Sequence, residues 1–257
     1  LHNLAKTKGI EFDTAIVDLL SPKKTIENFE KLIKPNTKLI FTTNASNVTG
    51  TIIPVKEIGE ICRRKSILFG VDAAQSAGVL RINMKEMNID YLCIAAHKGL
   101  YAPMGIGVLI SRKTIDNIVI SGGTGSNSKE MQQPESFPER IESGTISVPN
   151  IIGLGAGVEF VKNVGINKVY ENELLLTKYL YENLYHIGCE LYTPVPEKDL
   201  YLPVLSFNFK DKNSLEVADY LGKKGIAVRG GLHCAPYAHF AIKTNDIGTV
   251  RISPSIY

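Results

Sequence analysis

The sequence has no tryptophan, and its 4 cysteines, Cys62, Cys93, Cys189 and Cys234, form no CxxC pair. Missing tryptophan removes the best base-stacking side chain, and 29 Lys+Arg against 26 Asp+Glu leave a formal charge of only +3, with no basic stripe. Nucleic acid is therefore excluded as the expected partner. Sparse, unpaired cysteines make no disulfide scaffold and fit a reducing compartment, and no metal-ligating set is read from them. Three of the four are expected to be inert. No apolar stretch approaches the roughly 18 residues that span a bilayer, and the opening LHNLAKTKGIEF lacks the apolar centre of a signal peptide. Neither a long charge run nor a low-complexity tract interrupts a chain that is 44% apolar and 21% charged. The expectation is a folded cytoplasmic protein.

Its 257 residues allow either one large domain or a large and a small one. Short apolar runs recur between amphipathic stretches: LIFTT (39–43), ILFGV (67–71), YLCIAA (91–96) and GVLIS (107–111). This predicts strands of an α/β sheet. Pro54 opens a helix in which Val55, Ile58, Ile61 and Cys62 share one face. A strand, helix, strand order of that length favours parallel pairing of the first two strands. Residues 121–140, rich in Gly, Ser, Gln and Pro, read as a long exposed loop. From Val148 the pattern turns helical and ends at Gly188. VLSFNF (204–209), NSLEVADYLGKKG (213–225), IAVRG and TVRIS then read as strand, helix and two further strands. The predicted organisation is residues 1–155 as part of a large α/β domain, and 156–257 as bridging helices with a small C-terminal α+β domain.

Polar residues cluster just past the predicted strand ends. Asn44 and Asn47 follow LIFTT, Asp72 and Gln75 follow ILFGV, and His97 with Lys98 follows YLCIAA. The carboxyl ends of parallel strands line the ligand crevice of such sheets, so these groups are expected to converge. A carboxylate and an amine meeting there suit pyridoxal 5'-phosphate (PLP), whose ring nitrogen takes an anion and whose aldehyde takes an amine. Each residue alone is more often structural: Asp72 a helix cap, Lys98 a solvated loop lysine, Asn47 a turn former, His97 a satisfied histidine. Their coincidence favours the site.

SNVTGTIIPV, VDAAQSAG and AAHKGLYAPMGIGVL closely resemble the core of the class V aminotransferase-like PLP enzymes, specifically the cysteine desulfurases and selenocysteine lyases. The resemblance runs over nearly the whole chain. It implies a PLP-dependent transferase-like large domain, with Lys98 carrying PLP, Asp72 on the pyridine nitrogen, Asn47 and Gln75 near the ring oxygen, and His97 on the phosphate. A serine commonly stands two residues before that histidine, where this chain has Ala95. ESGT (142–145) resembles the turn that reaches the partner subunit's phosphate in these homodimers, which implicates Thr145. An N-cap before the run from Val148 is the equal alternative.

RGGLHCAP (229–236) resembles the loop bearing the sulfur-accepting cysteine, here Cys234. Independently, Pro236 suits the first turn of a helix, whose positive end would favour a Cys234 thiolate, with His233 assisting. Arg251 resembles the arginine that clamps the amino-acid carboxylate, a task for a bidentate guanidinium, and Arg229 orders the same region. A surface salt bridge is the alternative for both.

The implied activity is removal of sulfur from L-cysteine, giving alanine and an enzyme persulfide, with a sulfur-acceptor protein as a further partner. Rival readings are selenocysteine lyase, an aminotransferase or epimerase sharing Lys98 and Asp72, and a non-catalytic dimerising fragment. In the family, a segment with a phosphate-binding Gly/Thr turn and a ring-stacking histidine precedes anything resembling residues 1–37, and members run on past SIY. The expectation is therefore an incomplete large domain that binds PLP weakly or not at all.

Overall fold

The computed structural model describes residues 2–124 and 129–257. Its larger sheet has the order β1(Leu39–Thr43), β2(Leu68–Asp72), β3(Tyr91–Ala95), β4(Gly107–Ser111). β1, β2 and β3 run parallel, while β4 runs antiparallel to β3. The short link over residues 96–106 explains the reversal, because a parallel return needs a crossover of a dozen or more residues. Between β1 and β2 lies α3(Val55–Arg64), which buries Val55, Ile58, Ile61 and Cys62 as its spacing predicts. Gly59 sits against the Met87 carbonyl, where a Cβ would come within 1.9 Å of the oxygen. Ile58, Cys62, Phe69, Val71 and Ile89 form the core of this unit. The opposite sheet face leaves Leu39, Phe41 and Leu68 exposed.

Two short helices, α1(His2–Lys8) and α2(Pro22–Lys31), precede the sheet. After β4 the chain runs without helix or strand, among the described residues, to α4(Val148–Val164). The loop expected over 121–140 is found where described, with residues 125–128 outside the described set. Part of it packs: Gln133 is buried and donates to the Glu139 and Glu142 carbonyls. α4 is followed by α5(Ile166–His186).

The second sheet is antiparallel, β5(Glu190–Leu191), β6(Leu205–Asn208), β7(Val250–Ile252) in that order. α6(Ser214–Lys223) begins at the Asn213 cap and stops before Gly225 at φ +80°. The strand expected in IAVRG is not formed. Only Arg229 pairs, in an isolated bridge to Arg251, and Ile226 and Ala227 are exposed. α7(Pro236–Ala241) is a short helix. Ala45 and Val79 from the large sheet's loops pack with Tyr170 and Leu174 of α5 and with Leu202 and Val204 before β6, joining the two sheets. Among the described residues no helix is long and apolar enough to cross a membrane.

Candidate active site

Three turns at strand ends build the cleft. The first follows β1: Ser46 Oγ accepts from Val48 and Thr49 N–H at 3.2 and 3.1 Å. Gly50 at φ +71° then lets the chain pass 2.8 Å from the Leu202 carbonyl, measured from where a Cβ would stand. β6 fastens this turn, because Ser206 Oγ donates to the Val48 carbonyl at 2.6 Å.

The second and third turns, after β2 and β3, press on each other at a glycine pair. Gly78 has φ +88°, and a Cβ there would lie 1.9 Å from the Gly99 carbonyl oxygen. This closeness lets Lys98 Nζ donate to Gln75 Oε1 at 2.5 Å. Asp72 ends β2 and accepts the Ala74 N–H at 2.8 Å, so it does cap, though it caps a turn where a helix was weighed. Asp72 also acts on the Lys98 charge. His97 is exposed on the same turn as Lys98.

The small sheet closes the other side. Asn47 Nδ2 donates to the His233 carbonyl at 2.7 Å, and Arg251 Nη1 donates to the Asn47 carbonyl at 3.1 Å. Arg251 and Arg229 exchange both backbone hydrogen bonds, at 2.7 and 3.1 Å. His233 and Cys234 are consecutive residues in the left-handed region, φ 51° and 61°, a strained turn that leaves Cys234 exposed. Arg229 Nη2 stands 3.5 Å from Cys234 Sγ.

Electrostatics link these groups. Although much of Lys98 is open to solvent, partial burial of the amine holds its pKa below the ordinary value. Asp72 and Cys234 oppose that shift, and Arg251 and Arg229 reinforce it. The Lys98 amine thus feels all four groups. Arg251 Nε is buried without a partner, a donor left free for an anion.

One expectation is corrected. His233 does not assist Cys234: its ring is buried with Nε2 3.0 Å from the Thr249 carbonyl and hydroxyl, and burial together with Arg251 pushes its pKa down to about 4. α7 does begin at Pro236, as expected, with Ala235 at its N-cap, and the Arg229 guanidinium is a further positive group beside Cys234. Burial raises the thiols of Cys62, to about 12, and of Cys93 and Cys189, in keeping with inert cysteines. Thr145 is exposed and no hydrogen bond joins it to the cluster, and Ser147 occupies the N-cap of α4. The Gly78–Gly99 approach was not anticipated. Its only signals were single glycines in AQSAG and HKGL.

The donor set fits PLP: an amine, a carboxylate at the end of the neighbouring strand, and amide groups beside them. The model of the class-V aminotransferase family matches residues 2–257. A protein named probable cysteine desulfurase from Pyrococcus abyssi is 33% identical over 100% of this chain and 64% of its own length. Another, from Halalkalibacterium halodurans, is 35% identical over 82% of this chain and 52% of its own. The apo structure of a cysteine desulfurase from Thermococcus onnurineus NA1 superposes with TM-score 0.84 at 30% identity, covering 100% of this chain and 64% of that one. The chain thus spans less than two thirds of the length of these relatives, and its fold is the PLP-transferase-like α/β arrangement expected from its motifs. From the match over residues 2–257, the chain belongs to the class-V aminotransferase family.

Proposed function

We propose that this chain acts as a PLP-dependent cysteine desulfurase, moving sulfur from L-cysteine to Cys234 with release of alanine. One observation carries the reading: Arg229, 3.5 Å from Cys234 Sγ, pairs through its backbone with Arg251, whose guanidinium holds the Asn47 carbonyl, while Lys98 Nζ bonds Gln75 on the neighbouring strand-end turns. Names of relatives support it in the same direction.

Lys98 would hold the PLP aldehyde, Asp72 the ring nitrogen, Asn47 and Gln75 the ring oxygen, and His97 the phosphate, with Thr145 serving a partner subunit. Bound PLP supplies an electron sink that stabilises negative charge on the substrate carbons. Arg251, with its unpartnered Nε, takes the substrate carboxylate, and Arg229 orders the same loop. Lys98, its pKa held below the ordinary value by partial burial, is placed to move a proton at the substrate Cα. The Arg229 guanidinium stands 3.5 Å from Cys234 Sγ, and the reacting form of that cysteine is its thiolate. That thiolate attacks the substrate sulfur: an S–S bond forms, the Cβ–S bond breaks, and its electron pair, on protonation of Cβ, leaves alanine. The glycines at 230 and 231 allow the loop to deliver the thiol and then present the persulfide to an acceptor protein.

The same reading divides the chain into residues 1–155, belonging to a PLP-binding domain, and 156–257, bridging helices and a small domain. It also takes the protein to be a cytoplasmic homodimer. Alanine release from cysteine by the PLP-loaded protein tests the activity. Cys234→Ser should abolish it and keep the visible absorbance of bound PLP, while Lys98→Ala should lose both. Wild-type turnover in Cys234→Ser would turn the reading to a reaction that needs no thiol.

A further inference from the structure

Cys234 stands in a turn that its own residues do not favour. The Ala235 N–H donates to the Leu232 carbonyl at 2.9 Å, closing residues 232–235, and both central residues, His233 and Cys234, have positive φ, 51° and 61°. Turns with positive φ at both central positions are dominated by Gly, Asn and Asp. Neither central residue here is one of those. Contacts from outside the turn must therefore hold it.

Those contacts converge on His233, which is only 2% exposed. Its Nε2 lies 3.0 Å from both the carbonyl and the hydroxyl of Thr249, just before β7. A carbonyl only accepts, so Nε2 carries the ring proton, and Nδ1 is left bare, buried and without a partner. Burial beside Arg251 and His239 keeps the ring neutral. The same Thr249 carbonyl accepts the Gly231 N–H at 3.1 Å, and the Thr249 N–H donates to the Gly231 carbonyl at 3.1 Å. The ring is thus fastened to the base of its own loop. Its backbone is fastened elsewhere, because the His233 carbonyl accepts from Asn47 Nδ2 at 2.7 Å, on the turn after β1. That carbonyl belongs to the planar peptide leading into Cys234, so its direction sets where the Cys234 backbone starts.

We propose that His233 is a positioning residue: held by Thr249 through its ring and by Asn47 through its carbonyl, it keeps the turn in the left-handed form that places Cys234 beside Arg229. The inference rests on the reading of Cys234 as the sulfur acceptor. His233 exchanges no proton with the thiol and acts through the backbone alone. Asn47 also offers its carbonyl to Arg251 Nη1 at 3.1 Å. The arginine that takes the substrate carboxylate and the turn that carries the thiol therefore share one support.

NMR of the protein without PLP or turnover tests this, so failure of the anchor and failure of the desulfurase reading are separable. In wild type at neutral pH, the ring nitrogen resonances of His233 should show a protonated Nε2 and a bare Nδ1. The Cα and Cβ chemical shifts of Cys234 report its backbone, and His233→Ala should move them from left-handed to ordinary extended values. His233→Gln, whose amide donor reaches Thr249, should restore the wild-type shifts. The amides of Phe69 and Val71 in β2 should stay unmoved in both variants, which checks folding. In the PLP-loaded protein, His233→Ala should slow sulfur loading of Cys234 by about tenfold or more with the KM for L-cysteine unchanged, because His233 touches no substrate. Wild-type Cys234 shifts in His233→Ala would overturn the anchor, as would a failure of His233→Gln to restore them. A protonated Nδ1 with a bare Nε2 would overturn it in wild type alone, and so would a changed KM with the loading rate unmoved.

Discussion

Gly78 shows how one residue governs the site. Its φ of +88° and the 1.9 Å from a would-be Cβ to the Gly99 oxygen mean that Gly78→Ala meets both backbone strain and a clash with rigid main chain. We expect a loss of about 2 kcal/mol or more, read by urea denaturation. The Lys98–Gln75 contact should open as the two turns separate. Glu173 makes a second residue-scale prediction. Burial pushes its carboxyl up to about 7 from the ordinary 4.5, so the folded state binds more protons between those values. The stability it contributes is full below 4.5 and is lost as pH rises towards 7, by roughly 3 kcal/mol. His233, pushed from 6.5 down to about 4, acts oppositely, its contribution being lost as pH falls from 6.5 towards 4. The two slopes offset each other in wild type. The difference between Glu173→Gln and wild type isolates Glu173: the variant should gain on wild type across pH 4.5 to 7 in urea unfolding, and a flat difference would contradict the assignment.

At the scale of elements, local chemistry accounts for most of the architecture. Apolar runs bounded by polar turns marked all four strands of the large sheet, and the shared face of Val55, Ile58, Ile61 and Cys62 marked α3. NSLEVADYLGKKG carried both ends of its helix: Asn213 Oδ1 accepts the Leu215 N–H at 2.8 Å, and Gly225 takes the left-handed exit. Asn213→Ala should cost about 1 kcal/mol in urea unfolding, with Asn213→Ser nearly neutral. IAVRG was misread because β-branched composition says nothing about whether a neighbouring strand is present, and only Arg229 finds one. The meeting of the β2 and β3 turns, where Lys98 bonds Gln75, was legible because strand ends place both residues. His233 was not: adjacency to Cys234 in sequence carries no information on which way a ring points after two consecutive left-handed residues. The Arg229 contact with Cys234 likewise depends on the fold of the loop.

For the whole molecule, the exposed apolar side chains matter most. Ile151, Ile152 and Val158 on α4 and Leu175, Leu176 and Tyr179 on α5 are all at least 44% exposed, more apolar surface than two helices ordinarily leave to water. The proposed homodimer would cover these faces, and on that proposal sedimentation equilibrium should give twice the 28.2 kDa chain mass. Ile152→Glu with Leu175→Glu should shift it to monomer. The central claim is the division of labour between Lys98 and Cys234 across the cleft, and it is tested most directly by locating the sulfur. The PLP-loaded protein is mixed with L-cysteine, alkylated at once, digested and analysed by mass spectrometry. The account predicts one added sulfur on the Cys234 peptide, none on those of Cys62, Cys93 or Cys189, and none anywhere in Lys98→Ala. Alanine production with the added sulfur on another cysteine, or with Cys234 unmodified throughout, would contradict it.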